Sequence, residues 1–211
     1  MLQFYISEAF ANDMSTHLFD GVEPIVEQHT RAMQWYAHRI TIKRRKCIVV
    51  MELQSRYAMI FCGLTKPDFN NFPALFRKRI LCEVASICQL DKDAQAKLTP
   101  LVLAQAQQQL YQKGSDSSVQ TDIDEVIECL HEWIAGQGRL PVDDSECFDA
   151  GIFINQLKRE HGNETAAFEP LEQFRRFWST LSGLMHLAEG RRKAVQQRAI
   201  PDNILPFNRS G

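Results

Sequence analysis

Three apolar segments follow one another between residues 35 and 64, and their spacing constrains the fold more than any other feature of the sequence. They occupy residues 35–42, 47–53 and 57–64, with Lys43-Arg44-Arg45-Lys46 between the first two and Gln54-Ser55 after the second. Parallel strands need a crossover of about a dozen residues, whereas antiparallel strands need only a tight turn. The sequence therefore predicts a three-stranded antiparallel meander.

Apolar residues occur on both faces of each predicted strand. In the first strand, Met33, Trp35 and Ala37 alternate with Tyr36 and Ile40. A strand with two apolar faces is typical of a sheet centre that helices cover. With a further strand expected at residues 2–6, we predict an α+β fold: a small antiparallel sheet, made of the N-terminal strand plus the meander, covered by C-terminal helices.

Apolar spacing predicts helices at 8–18, at 71–90 and at 119–134, then at 143–162 and from 170 onward. Residues 91–98 are predicted as a short helix or turn, and Thr99-Pro100 as the start of another helix through 105–109, part of which is an alternative strand or loop. We expect one domain over residues 1–190, with the sheet mainly in 1–65 and the helices mainly in 68–190. Trp133, Phe148, Phe174 and Trp178 are expected to cover the sheet. Residues 191–211 are expected to form a mobile basic tail.

Positive charge is concentrated in the predicted sheet region. Residues 31–80 hold 11 of the 24 lysines and arginines but only 2 of the 26 acids, so the rest of the chain is strongly acidic. Clustered cations of this kind suit phosphate groups. The near-neutral total charge conceals this division.

A basic hairpin is the candidate binding site. Lys43, Arg44, Arg45 and Lys46 fall at the predicted hairpin tip, with Arg39 and Arg56 on adjacent strands, and Trp35 or Tyr36 would supply stacking. We predict a non-enzymatic binding or regulatory module for an anionic partner, with nucleic acid as the candidate. The alternative explanation of the charge is that the basic half packs against the acidic half of the same chain.

Two other functions remain as alternatives. His38 and Arg39 could line the cleft of an enzyme of unknown reaction, although no phosphate-binding loop or hydrolase motif is present. The apolar C-terminal helices could instead serve a protein–protein adaptor, for example one half of a bacterial two-gene module. A pocket that holds His38 beside an acid would favour the enzyme, and a large exposed apolar patch would favour the adaptor.

We expect no cofactor, no metal and no membrane contact. Glu125, Glu128 and Glu132 share a helix face that could bind a metal if a second helix supplied ligands, but a solvated acidic surface is the simpler interpretation. No apolar run approaches the length of a membrane span. The six scattered cysteines, without an apparent signal peptide, indicate reduced thiols and a cytoplasmic protein.

The segment Trp35-Tyr36-Ala37-His38-Arg39-Ile40, followed by the basic turn ending in Lys46-Cys47, resembles the DUF6933 family of uncharacterised bacterial domains, mainly over residues 1–90. Lys66-Pro67-Asp68-Phe69 matches the small turn that precedes a helix in that family. Ser117-Ser118-Val119 stands where family members tend to carry an Arg-Ser-Val-rich segment, so the arginine is missing here. The resemblance implies a shared fold and no mechanism.

Overall fold

A computed structural model describes residues 2–14, 33–107, 109–160 and 167–181 of the chain. These residues form five strands and seven helices. The strands are β1 (Leu2–Ile6), β2 (Met33–Ile42), β3 (Arg45–Glu52), β4 (Ala58–Leu64) and β5 (Gln109–Lys113). The helices are α1 (Glu8–Met14), α2 (Lys66–Asn70), α3 (Phe72–Ile87), α4 (Lys92–Gln105), α5 (Ser117–Gln137), α6 (Asp144–Asn155) and α7 at 170–181.

The five strands form one sheet in the order β4-β3-β2-β1-β5. The predicted meander is confirmed, since β2 pairs with β3 and β3 with β4 in antiparallel register. The wholly antiparallel sheet is wrong, because β1 pairs in parallel with both β2 and β5. The physical reason is the length of the connections, since more than 25 residues separate β1 from β2 and leave room for a crossover. The α+β class stands, with a mixed sheet.

A strand at the position of β5 was predicted only as an alternative to a helix, because its glutamines are good helix formers. Side-chain hydrogen bonds to the neighbouring strand β1 nevertheless stabilise the strand. Gln3 on β1 donates from Nε2 to the side-chain oxygen of Gln112 on β5, and Gln34 on β2 donates to Gln3 Oε1 at 3.1 Å. Gln3 and Gln112 are almost wholly buried, so these amides bond to each other across the three strands. Tertiary pairing therefore outweighs propensity here.

Helices cover both faces of the sheet and create two cores. One face packs against α1, α2, α3, α4 and α7 around Phe4, Trp35, Phe72 and Phe76. The other packs against α5 and α6 around Val49, Ile60, Val126 and Ile154. The alternation of Trp35 and Tyr36 between these cores confirms the predicted strand faces. Phe174 and Trp178 lie buried in the first core, Phe148 packs against it half-buried, and Trp133 packs against the second core.

One predicted helix break is absent. We expected a new helix at Thr99-Pro100, but α4 runs continuously past Pro100. A proline inside a helix removes one backbone hydrogen bond. Leu98 and Val102, on either side of it, are both buried in the first core. Their burial holds the helix together across the proline.

Three further predictions fall outside the described residues, namely the helix continuation over 15–18, the last helix beyond residue 181 and the basic tail at 191–211. None of the helices within the described ranges is long and apolar enough to span a membrane.

Candidate anion-binding hairpin

The turn between β2 and β3 holds two cations in an unusual backbone conformation. Ile42 pairs with Arg45, so the turn consists of Lys43 and Arg44, and both have positive φ, at 47° and 64°. Two consecutive positive φ angles are the signature of a type I′ turn, for which Asn-Gly is strongly preferred. A side chain with a Cβ in this region costs on the order of 1 kcal/mol. The chain therefore places basic residues where asparagine and glycine would be more stable.

The side chains at this turn face solvent. Lys43, Arg44 and Arg45 are all exposed. Lys43 Nζ donates to the backbone carbonyl of Gly138, at the end of α5, at 3.2 Å. Arg44 and Arg45 make no ion pair with any residue in the described part of the chain. We call Lys43, Arg44 and Arg45 the hairpin tip.

Two other predicted site residues are bound to helix α1. Arg39 Nε lies 3.0 Å from Asp13 Oδ2, and Lys46 Nζ also pairs with Asp13. The ammonium of Lys46 additionally lies 5.3 Å from the ring centroid of Phe69. These cations join the sheet to α1 and α2, and the single carboxylate of Asp13 balances one of their two charges.

Trp35, Tyr36 and Arg56 lie inside the protein. Trp35 is fully buried in the first core, and Tyr36 stacks on Tyr5 with ring centroids 4.8 Å apart. Neither ring is accessible for stacking on a base, which corrects that expectation. Arg56 is only 6% exposed, and its Nε lies 3.1 Å from Asp122 Oδ2 on α5. The alternation of residues along a strand predicts which side chains share a face. It does not predict which of those side chains are exposed to solvent.

The acidic helix α5 has two different sides. Asp122 is buried against Arg56. Glu125, Glu128 and Glu132 are exposed as expected. No group of three metal-ligating side chains with suitable geometry occurs among the described residues.

His38 and Arg39 do not share a cleft. Adjacent strand residues point to opposite faces of a sheet. Arg39 lies on the α1 side with Asp13, whereas His38, half-buried, lies on the α5 side. Burial lowers the pKa of His38, and the negative charge of Asp124 opposes part of that shift. This arrangement does not assemble the acid–base pair that an enzyme centred on both residues would need.

The pKa of His38 predicts a pH dependence of stability. An unperturbed imidazole titrates near pH 6.5. Because the folded-state pKa is lower, the unfolded chain binds more protons between the two values. The contribution of His38 is therefore fully present above about pH 6.5 and is lost as the pH falls toward the folded-state pKa.

Urea denaturation at pH 7.5 and pH 5.5 checks this prediction. We expect the midpoint of the His38→Gln variant to fall less between these pH values than that of the wild type. His131→Gln, at an exposed position on α5, is the matched control and should behave as the wild type does. An equal fall in wild type and His38→Gln would contradict the assignment.

A cavity that sequence reasoning missed lies at the other end of β2. It has a volume of about 350 Å³, and its lining includes Trp35, Glu52, Gln54, Phe177 and Trp178. The indole Nε1 atoms of Trp35 and Trp178 are buried, and within the described part of the chain they have no hydrogen-bond partner. Buried indole donors usually find a partner. No spacing or motif connects β2 with α7, so the sequence carries no signal for this cavity.

A family model described as DUF6933, a domain of unknown function, matches residues 7–173. That match covers well over half of the 211 residues. The chain belongs to the DUF6933 family. The matched region of this DUF6933 chain extends beyond the expected 1–90 and includes α5 and α6, so both helical layers belong to the family domain. No curated protein and no solved structure shows significant similarity to the chain.

Proposed function

We propose that the hairpin tip of this DUF6933 domain binds an anionic partner, and that the partner is nucleic acid. The observation that carries the proposal is the type I′ turn formed by Lys43 and Arg44. Strained conformations of non-glycine residues persist where the surrounding structure enforces them, and they concentrate at functional positions. Here the strained residues are cations with exposed side chains.

The alternative of internal charge pairing accounts for only part of the basic region. Arg39 and Lys46 pair with Asp13, and Arg56 pairs with Asp122. The hairpin tip has no such ion pairs within the described residues. Its three cations therefore keep their charge available to phosphate groups, and they are the residues on which binding depends.

The adjoining end of α5 adds to the same surface. Lys43 contacts Gly138, and the neighbouring Arg139 is exposed although its guanidinium bonds to both oxygens of Glu146 at 2.6 Å. Arg139 thus adds positive charge beside the tip, although its bidentate pair with the half-buried Glu146 neutralises most of that charge. Binding is accordingly expected to be weak and non-specific, with a Kd of about 10⁻⁴ to 10⁻⁶ M at physiological salt.

Charge reversal at the tip tests the proposal. Each phosphate contact contributes through release of condensed counterions. Losing two contacts in Arg44→Glu/Arg45→Glu is expected to weaken binding at 50 mM salt on the order of 100-fold. Fluorescence anisotropy with a labelled DNA or RNA 20-mer measures this change, and circular dichroism checks that the variant folds.

The control variant has the same net charge as Arg44→Glu/Arg45→Glu. Lys92→Glu/Lys158→Glu reverses two exposed lysines outside the hairpin, on α4 and after α6. We expect this variant to bind within about threefold of the wild type. Equal losses in both double variants would show that overall charge, rather than the tip, governs binding. No binding by the wild type at tens of micromolar in 50 mM salt, where affinity is higher than at physiological salt, would contradict the proposal.

A protein–protein adaptor is the second candidate function. An apolar groove of about 130 Å³ lies between α4 and α7, lined by Met33, Leu98, Leu101, Val102, Phe177, Trp178 and Leu181. Leu101 and Leu103 on α4 are both more than 40% exposed. Exposed apolar surface of this kind favours protein contacts. The adaptor becomes the better proposal if the wild type binds neither DNA nor RNA.

A further inference from the structure

Three cysteines that are far apart in the sequence meet at one edge of the sheet. Cys47 on β3 lies directly opposite Cys62 on β4, and both point toward the second core. Cys147 lies in the first turns of α6, the helix that packs on β4. The thiol of Cys62 is within hydrogen-bonding reach of both Cys47 and Cys147. Cys62 is therefore the central member of a three-thiol cluster.

Only two of the three thiols adjoin solvent-accessible space. Cys62 and Cys147 both line a cavity of about 200 Å³, together with residues that include Lys78 and Asp144. Cys47 is fully buried and does not line this cavity. A small oxidant that enters the cavity would reach Cys62 and Cys147 first. Oxidation is therefore expected to join Cys62 to Cys147 and to leave Cys47 unchanged.

The surroundings give the two thiols different acidity. A hydrogen bond from Cys62 and the positive charge of Arg79 lower the pKa of Cys147, although burial opposes them. Arg79 is 5% exposed and forms ion pairs with Glu83 and Asp144, and its Nη atoms have no hydrogen-bond partner among the described residues. The hydrogen bonds to its two neighbours and burial raise the pKa of Cys62. Thiolates rather than thiols react with oxidants, so Cys147 is the nucleophile and Cys62 the residue that resolves the oxidised product.

We propose that Cys62 and Cys147 form a site of reversible oxidation, in which hydrogen peroxide converts the two thiols to a disulfide. The Cys147 thiolate attacks one peroxide oxygen, the O–O bond breaks, and with one proton the products are a sulfenic acid and water. The Cys62 thiol then attacks the Cys147 sulfur, the S–O bond breaks, and a second water leaves. Two thiols are oxidised and one peroxide is reduced to two waters. A dithiol reductant reverses the reaction by thiol–disulfide exchange.

Digestion with trypsin places each of the three cysteines on a different peptide, so a disulfide between any two of them is identified by the peptides that it links. Cleavage after lysine and arginine, except before proline, places Cys47, Cys62 and Cys147 on peptides 47–56, 57–77 and 140–158, each with a single cysteine. Full-length reduced protein is treated with a few equivalents of hydrogen peroxide. It is then denatured and alkylated, and analysed by mass spectrometry before and after digestion.

We expect the wild type to lose two of its six alkylatable thiols and to yield a linked 57–77/140–158 peptide pair that dithiothreitol separates. The exposed Cys82 provides the control, since Cys82→Ser should form the same linkage. In Cys62→Ser the linkage should disappear and dimedone should label Cys147. A Cys47–Cys62 linkage, or oxidation confined to Cys82 without any linked pair, in the wild type would overturn the proposal.

Discussion

Replacing Asp122 with asparagine is expected to lower the free energy of unfolding by about 3–5 kcal/mol, because it removes the carboxylate that lies 3.1 Å from the buried guanidinium of Arg56. The side chains of Arg56 and Asp122 are 7% and 6% exposed, so water cannot replace the lost carboxylate. Arg159 is also buried, and the negative charge of Asp122 acts on it as well. Asparagine has nearly the same shape as aspartate, so the effect reports charge rather than a cavity.

Urea denaturation of Asp122→Asn beside Asp124→Asn measures this loss. Asp124 lies on the same helix at an exposed position, and its replacement should change stability by less than about 0.5 kcal/mol. The melting temperature of Asp122→Asn should fall by roughly 10 °C. Equal stability of the two variants would show that Asp122 does not stabilise the buried arginines.

The second large effect is expected in the first core. Phe76 is fully buried, and its ring lies 5.0 Å, centroid to centroid, from both Phe4 and Trp35 in edge-on contact. Phe76 thus joins α3 to β1 and β2. Truncation to alanine removes the ring contacts and leaves a cavity, which costs about 3–5 kcal/mol.

Thermal and urea unfolding of Phe76→Ala check this expectation. Phe153→Ala is the matched control, because that ring on α6 is 44% exposed and its loss should cost under about 1 kcal/mol. A loss below about 1 kcal/mol in Phe76→Ala would contradict the packing of α3 on the sheet centre.

Local pattern predicts most of the sheet. The alternation around Trp35 and Tyr36 gives the two faces of β2, and the short turn at Lys43 and Arg44 fixes its antiparallel pairing with β3. The spacing of the apolar residues from Phe72 to Ile87 likewise gives α3. These features depend on neighbours close in the sequence, so periodicity is sufficient to predict them.

What the sequence could not predict depends on distant pairing. The parallel position of β1 and the addition of β5 at the edge require long crossovers, and β5 is stabilised by Gln3 on another strand. Contacts with distant parts of the chain also separate the predicted site residues into exposed and buried groups. Lys43, Arg44 and Arg45 stay at the surface, whereas Arg56 meets Asp122, a residue 66 positions later in the chain. Charge clustering in sequence does not reveal such a buried partner.

The salt dependence of nucleic-acid binding tests the central claim most directly, because it counts the phosphate contacts. A duplex-DNA 20-mer is titrated with the wild type and with Arg44→Glu/Arg45→Glu at several salt concentrations. Three contacts predict a slope of log association constant against log salt of about −2.7 for the wild type, and one remaining contact predicts about −0.9 for the variant. A wild-type slope near zero, or the same slope in both proteins, would contradict the assignment of the hairpin tip as the binding surface.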